Sequence, residues 1–218
     1  MTSRDAILRR LRAVKPPYAD EPPPAEYLPV VPLDASDRAA LIDRFVTKAE
    51  ALSSVVHRCA SEEQARATVL DIISPDDRVL CWDFVHIPLP GLAEALDRAG
   101  IAIAPPDDAS VRVGITGADA ALAATGSLVI ASGAGKPRRT SLLPLVHVAV
   151  ARAEQILPHM EAWIAEMRAR GDNAFTDPSS IVIVSGPSRT ADIAMELILG
   201  MHGPGALHIV LIESEKQQ

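Results

Sequence analysis

Residues 181–205, IVIVSGPSRTADIAMELILGMHGPG, set the reading of the whole chain. The run 181–184 is apolar and short, the pattern of a strand buried on both faces. Ser185, Gly186 and Pro187 interrupt it. Ile193, Met195, Leu197 and Ile198 then recur at helical spacing, Gly200 stands where a helix C-cap glycine would, and Gly203 and Pro204 follow as a stop. A second apolar run, 207–212, closes the unit. The pattern predicts strand, tight turn, helix, strand: one βαβ crossover. A helix opening near Ser188 would leave backbone N–H groups unpaired at the positive end of its dipole. Ser188, Thr190 and Arg189 would add two hydroxyls and a planar cation, a set suited to a small anion. Ser188 serves equally as a plain N-cap, and Asp192 in the first turn would repel a bound anion.

Working outward, the chain has 218 residues, enough for one domain with an appended arm. Hydrophobic residues make up 48% and charged residues 22%, a soluble composition, while aromatics are only 3%. The core is therefore aliphatic, and stacking platforms for nucleic-acid bases are scarce. A net charge of −7 also opposes phosphate backbones, so no nucleic-acid partner is expected. Cys59 and Cys81 lie in apolar runs and read as reduced buried thiols of a cytoplasmic protein. Two such residues make neither a zinc nor an iron–sulfur framework, so no metal or cofactor is expected. No secretory h-region is visible, and no apolar run is long enough for a membrane span.

The N-terminal part reads as an arm, residues 1–33. Residues 3–14 place Ile7, Leu8 and Leu11 on one face among Arg4, Arg9, Arg10 and Arg12, and seven of the eighteen prolines follow within 15–33. A helix so short needs something to pack on: its own domain, a second copy or a partner subunit, with a membrane surface as a further reading. From residue 34 to 218 the chain reads as one α/β domain. Helices are expected over 34–52, with Ser36 as cap, over 61–73, stopped by Pro75, and over 91–98. Strands are expected over 54–59, 78–82 and 101–104. The alternation argues for a twisted, mostly parallel sheet with helices on both faces.

The middle of the chain holds a second group of candidates. A strand end at 112–116 leads to an alanine-rich helix over 118–124, with Asp119 at its head. Such a position suits an acid or base, because open α/β sheets place ligands at strand ends. The bend Thr125-Gly126-Ser127 could present N–H groups and hydroxyls to a ligand, or simply turn the chain into a strand over 128–131. Arg138 and Arg139 close the polar loop 132–139 and could clamp an anion or remain solvated. His147 lies inside an apolar strand, 142–150, and reads as a core imidazole or a general base. A helix over 155–170, irregular at Pro158, and a polar loop over 171–180 complete the chain. His202, on a turn, could reach the cleft of Ser188. No motif specifies a mechanism.

Two segments carry a resemblance: SGPSRTADIAMELILGMHGP, and GITGADAALAATGSLVIASG followed by RRTSLLPLVHVAV. In this order they resemble the lactate-utilisation (LUD, LutC-like) family, over about residues 55–213. The resemblance implies a NagB/RpiA/CoA-transferase-like fold. It also implies a non-redox part in oxidising L-lactate to pyruvate beside iron–sulfur companion subunits, with a stand-alone transferase-like or sugar-phosphate enzyme, or a ligand-free assembly module, as alternatives. By motif position it marks Thr125, Gly126, Arg139, Pro144, His147, Gly186, Ser188, Arg189, Asp192, His202 and Gly203 as family-typical. Ala124 departs from the acidic residue usual before the Thr-Gly pair.

Overall fold

The computed structural model describes residues 3–14, 33, 37–74, 78–171, 173–190 and 198–213. In chain order the elements are α1 (Ser3–Ala13), α2 (Arg38–Ala51), β1 (Val55–Cys59), α3 (Glu62–Ile73), β2 (Arg78–Cys81), α4 (Leu92–Arg98), β3 (Ala102–Ile103), β4 (Val113–Gly117), β5 (Ala120–Leu122), β6 (Ser127–Ser132), β7 (Val146–Arg152), β8 (Ile156–Leu157), α5 (Met160–Ala169), α6 (Asn173–Thr176), β9 (Ser180–Val184), β10 (Arg189–Thr190), β11 (Ile198–Leu199) and β12 (Ala206–Ile212).

A six-stranded sheet in the order β1-β12-β7-β4-β2-β3 forms the centre, and every neighbouring pair in it is parallel. Its inner strands are continuous apolar runs because helices or strands cover both faces. Successive residues of β1 show the two sides: Arg58 reaches Asp43 of α2, whereas the Cys59 thiol meets Thr68 of α3. Alternate side chains point to opposite faces, so α2 and α3 sandwich the sheet. α4 packs against α3. Phe45, Ile73, Val148, Val150, Ile209 and Leu211 join in one core. The expected cap of α3 holds: Ser61 accepts from Gln64 N–H. For α2 the cap is Asp37, which accepts from Ala40 N–H, rather than Ser36. Ser36, Pro75 and most of the proline-rich arm lie outside the described residues. Within the arm, α1 buries none of its side chains.

The α2 face also carries a second sheet, β8-β5-β6-β9, in which β6 runs antiparallel to both β5 and β9. This sheet corrects three expectations. Residues 118–124 are not a helix: Ala120–Leu122 form β5, where pairing with β6 and β8 overrides the helix propensity of alanine. Residues 181–184 do not begin a βαβ crossover: β9 pairs Val184 with Leu128 of the second sheet, and only β12 enters the parallel one. Residues 189–190 do not open a helix: they pair with 198–199 as a short antiparallel ribbon. The helical spacing of Ile193, Met195 and Leu197, with Asp192, lies outside the described residues. The runs 142–150 and 155–170 also divide. A 3-10 turn, Arg138–Ser141, precedes β7, and β8 precedes α5.

His147 lies in β7 and shares a 2.8 Å hydrogen bond with the Thr116 hydroxyl of β4, both fully enclosed. Burial pulls the imidazole down to about 4 from its ordinary 6.5. His57 and His208, 3.0 Å apart between Nε2 and Nδ1, are shifted in the same direction by burial. The unfolded chain therefore takes up protons first as pH falls below about 6.5, and the folded state loses stability until His147 itself protonates near 4. Urea unfolding across this window will show falling stability, with a shallower slope in His147→Gln; an equal slope in both proteins contradicts the assignment.

Candidate functional site

A cavity of about 210 Å³ opens between the two sheets. Its floor is His147 and Leu207, each the second residue of its strand and paired across β7 and β12. The cavity therefore lies at the amino-terminal edge of the parallel sheet. Val182, Ile183 and Val184 of β9 form one wall, and Ser185, Gly186, Pro187 and Ser188 continue it to the mouth. Ser141, Leu142, His202, Gly203 and Pro204 complete the lining.

The loop after β9 owes its shape to a close approach. Gly186 has φ of +90°, and a Cβ there would stand 2.3 Å from the carbonyl oxygen of Leu52, the C-cap of α2. Gly126, with φ of +68°, would carry a Cβ 2.2 Å from Ala49 N. Both bends therefore rest on the last turn of one helix, where only glycine fits. Their neighbours meet as well, since the hydroxyls of Ser127 and Ser185 lie 2.8 Å apart. The Thr-Gly bend and the 185–188 loop thus converge, away from the carboxyl edge of the parallel sheet. Thr125 is exposed, Ser127 is buried, and neither they nor Gly126 line the cavity.

The electrostatics also differ from expectation. A helix C-terminus carries partial negative charge, so α2 does not supply the anion-friendly N–H groups that a helix starting at Ser188 would have. The ribbon uses the local backbone groups instead: Ser188 N–H donates to Pro204 O, and Gly200 N–H donates to Ser188 O. The Ser188 hydroxyl accepts from His202 N–H at 3.3 Å. Ser188 and His202 thus share the cavity mouth, as their sequence positions suggest. Arg189 Nη2 lies 3.2 Å from where a Gly186 Cβ would be, beside the α2 terminus, where a cation suits the dipole. Arg189 and Thr190 are outside the cavity lining. Arg138 and Arg139 are exposed on their 3-10 turn and lie outside the cavity lining, although Ser141, at the end of the same turn, lines it. Pro144 is buried, its ring over Gly114.

Asp119 belongs to a different place. It follows β4 at the carboxyl edge, as its position in the sequence suggests, but on a bend rather than a helix. Its Oδ2 accepts from Ala131 N–H at 2.7 Å, and its Oδ1 from Lys136 Nζ at 2.8 Å. Lys136 Nζ stands 5.2 Å from the centre of the Trp82 ring, within cation–π range. In the sequence, Lys136 lies in one basic cluster with Arg138 and Arg139. The turn Gly133–Lys136, closed by reciprocal backbone bonds, is the signal that separates it from them.

Residues 42–212 match the LUD domain family. Lactate utilization protein C of Halalkalibacterium halodurans is 39% identical over 101 residues, 46% of this chain and 44% of that protein. The protein of the same name from Bacillus subtilis (strain 168) is 37% identical over 100 residues, 46% of this chain and 42% of that one. That of Shouchella clausii is 34% identical over 141 residues, 58% of each. The chain spans about half the length of the curated relatives it matches. The crystal structure of a DUF162 family protein from Deinococcus radiodurans superposes with a TM-score of 0.56 at 18% identity, covering 83% of this chain and 99% of that one, a likeness of fold. Through the match over residues 42–212, this chain is a member of the LUD domain family.

Proposed function

We propose that the chain is the non-redox component of an L-lactate oxidation system in the cytoplasm, acting with iron–sulfur companion subunits, and that the cavity between its sheets holds a small anionic ligand. The observation that carries this reading is the repeated similarity to proteins named Lactate utilization protein C. The placement of the thiols supports a non-redox part. Cys59 ends β1 and Cys81 ends β2, with β12, β7 and β4 between them. Four strand spacings set them roughly 19 Å apart, too far to ligate one cluster. Burial, with the Asp83 carboxylate nearby, pushes the Cys81 thiol up to about 12, far from the thiolate a metal needs.

The cavity suits a small molecule with oxygen atoms. Ser141, Ser185 and Ser188 bring hydroxyls, His147 is neutral above about pH 4, and Val182, Val184 and Leu207 give an apolar wall. The serine hydroxyls suit the oxygens of a carboxylate, and Arg189 stands beside Gly186 of the lining loop. A second reading, an assembly module, has its own support in α1, whose Ile7 and Leu11 are 58% and 66% exposed.

Two outcomes are expected. A deletion strain will fail to grow on L-lactate and recover with the full chain; growth equal to the parent strain contradicts the pathway reading. In the same assay, failure of a chain lacking residues 1–14 despite unchanged melting favours assembly through α1. Calorimetric titration of the purified protein with pyruvate will show binding that Ser188→Ala weakens by about 1 kcal/mol, the net contribution of one hydrogen bond. Identical titrations of the two proteins reject the cavity as the ligand site.

A further inference from the structure

We propose a second ligand site, distinct from the cavity between the sheets, at the carboxyl edge of the parallel sheet: a site for a monocarboxylate with a short hydrocarbon chain, anchored by Lys136. The topology locates it. From β2 the chain runs through α4, on the α3 side, to β3; from β4 it runs through the second sheet, on the α2 side, to β7. The connections leave β2 and β4 in opposite directions on opposite faces, which makes their carboxyl ends the switch point where open α/β sheets form a crevice. Trp82 and Asp83 follow β2 there, and Asp119 follows β4.

The turn Gly133–Lys136 overhangs this crevice. An ideal Cβ on Gly135 would stand 2.5 Å from Asp83 Oδ2 and 3.0 Å from the His86 ring, so the turn is seated against both. It delivers a Lys136 side chain that is only 18% exposed. An ammonium has three donors, and among the described residues one of them finds an acceptor, Asp119. The Trp82 ring covers another side without accepting a full hydrogen bond. A cation carried on a mostly buried side chain, with spare donors, is suited to ligand oxygens. Asp119, fixed on Ala131 N–H, cancels part of the charge, so a single negative charge is accommodated and a dianion is repelled. Beyond the ion pair lies a cavity of about 320 Å³ with Trp163, Met167, Ala174 and Pro178 as its apolar wall for a short hydrocarbon tail, and with Arg170, Asn173 and Asp177 also in its lining.

The chain has two tryptophans, and both flank this site. Tryptophan emission of the full chain will therefore change saturably on titration with hexanoate. Affinity will fall about fourfold for each methylene removed toward butyrate, and inorganic phosphate will neither bind nor compete. Lys136→Met will lose at least tenfold in affinity, and Lys136→Arg will retain most of it. No saturable change with hexanoate, unchanged affinity in Lys136→Met, no dependence on chain length, or phosphate competing as well as hexanoate would each overturn the proposal. If Lys136→Met does not fold, the chain-length series and Lys136→Arg decide. Growth on lactate plays no part in this test, so the pathway reading stands or falls separately.

Discussion

Strand β6 hydrogen-bonds β5 on one side and β9 on the other, and every one of its residues is buried. That double pairing determines where both candidate sites lie. It draws residues 180–184 out of the parallel sheet and stacks them over it, which opens the cavity above His147 and Leu207. It also carries the chain from the end of β4 to the Gly133–Lys136 turn, which returns Lys136 to Asp119 at the opposite edge. An isolated β5–β6 hairpin would be marginal in water. It holds here because α2 covers one face and α5 the other, with Trp163 and Met167 packed on Ala120, Leu122 and Val129.

The glycines of the Thr-Gly bend and of the 185–188 loop have a common physical cause. Both lie under the final turn of α2, and a side chain at either would meet helix backbone. This explains why two segments far apart in the chain share the same residue chemistry without sharing a ligand. Closeness to a helix C-terminus also sets the local sign of the potential. Arg189 complements that terminus, so an anion in the cavity would rest on the serine hydroxyls rather than on a helix dipole.

Much of the fold was legible. The short strands β1, β2 and β4, the apolar run of β12, and the Ser61, Glu62, Glu63 start of α3 carry their elements in local pattern alone. The second sheet was not legible, for two reasons. Residues 118–124 are rich in alanine, and their strand form depends on partners remote in sequence. Residues 181–184 read as a strand buried on both faces, but β9 is the edge strand of the second sheet and all its residues are half-buried; only its pairing with β6, remote in sequence, assigns it there. For the sites, Asp119 was legible from its place after a strand, and Ser188 with His202 from the turns around them. The pairing of Asp119 with Lys136 needs a hairpin to bring it about, and no local pattern shows that hairpin.

The pairing of β6 with β9 is open to direct test by cross-linking. Ser127 and Ser185 face each other with hydroxyls 2.8 Å apart, and the native thiols are held away, Cys59 in β1 and Cys81 in β2. In a Ser127→Cys, Ser185→Cys protein, mild oxidation followed by peptide mapping will show a 127–185 disulfide with cooperative unfolding retained. Free thiols at both positions in the folded, oxidised protein would contradict the second sheet, and with it the placement of both sites.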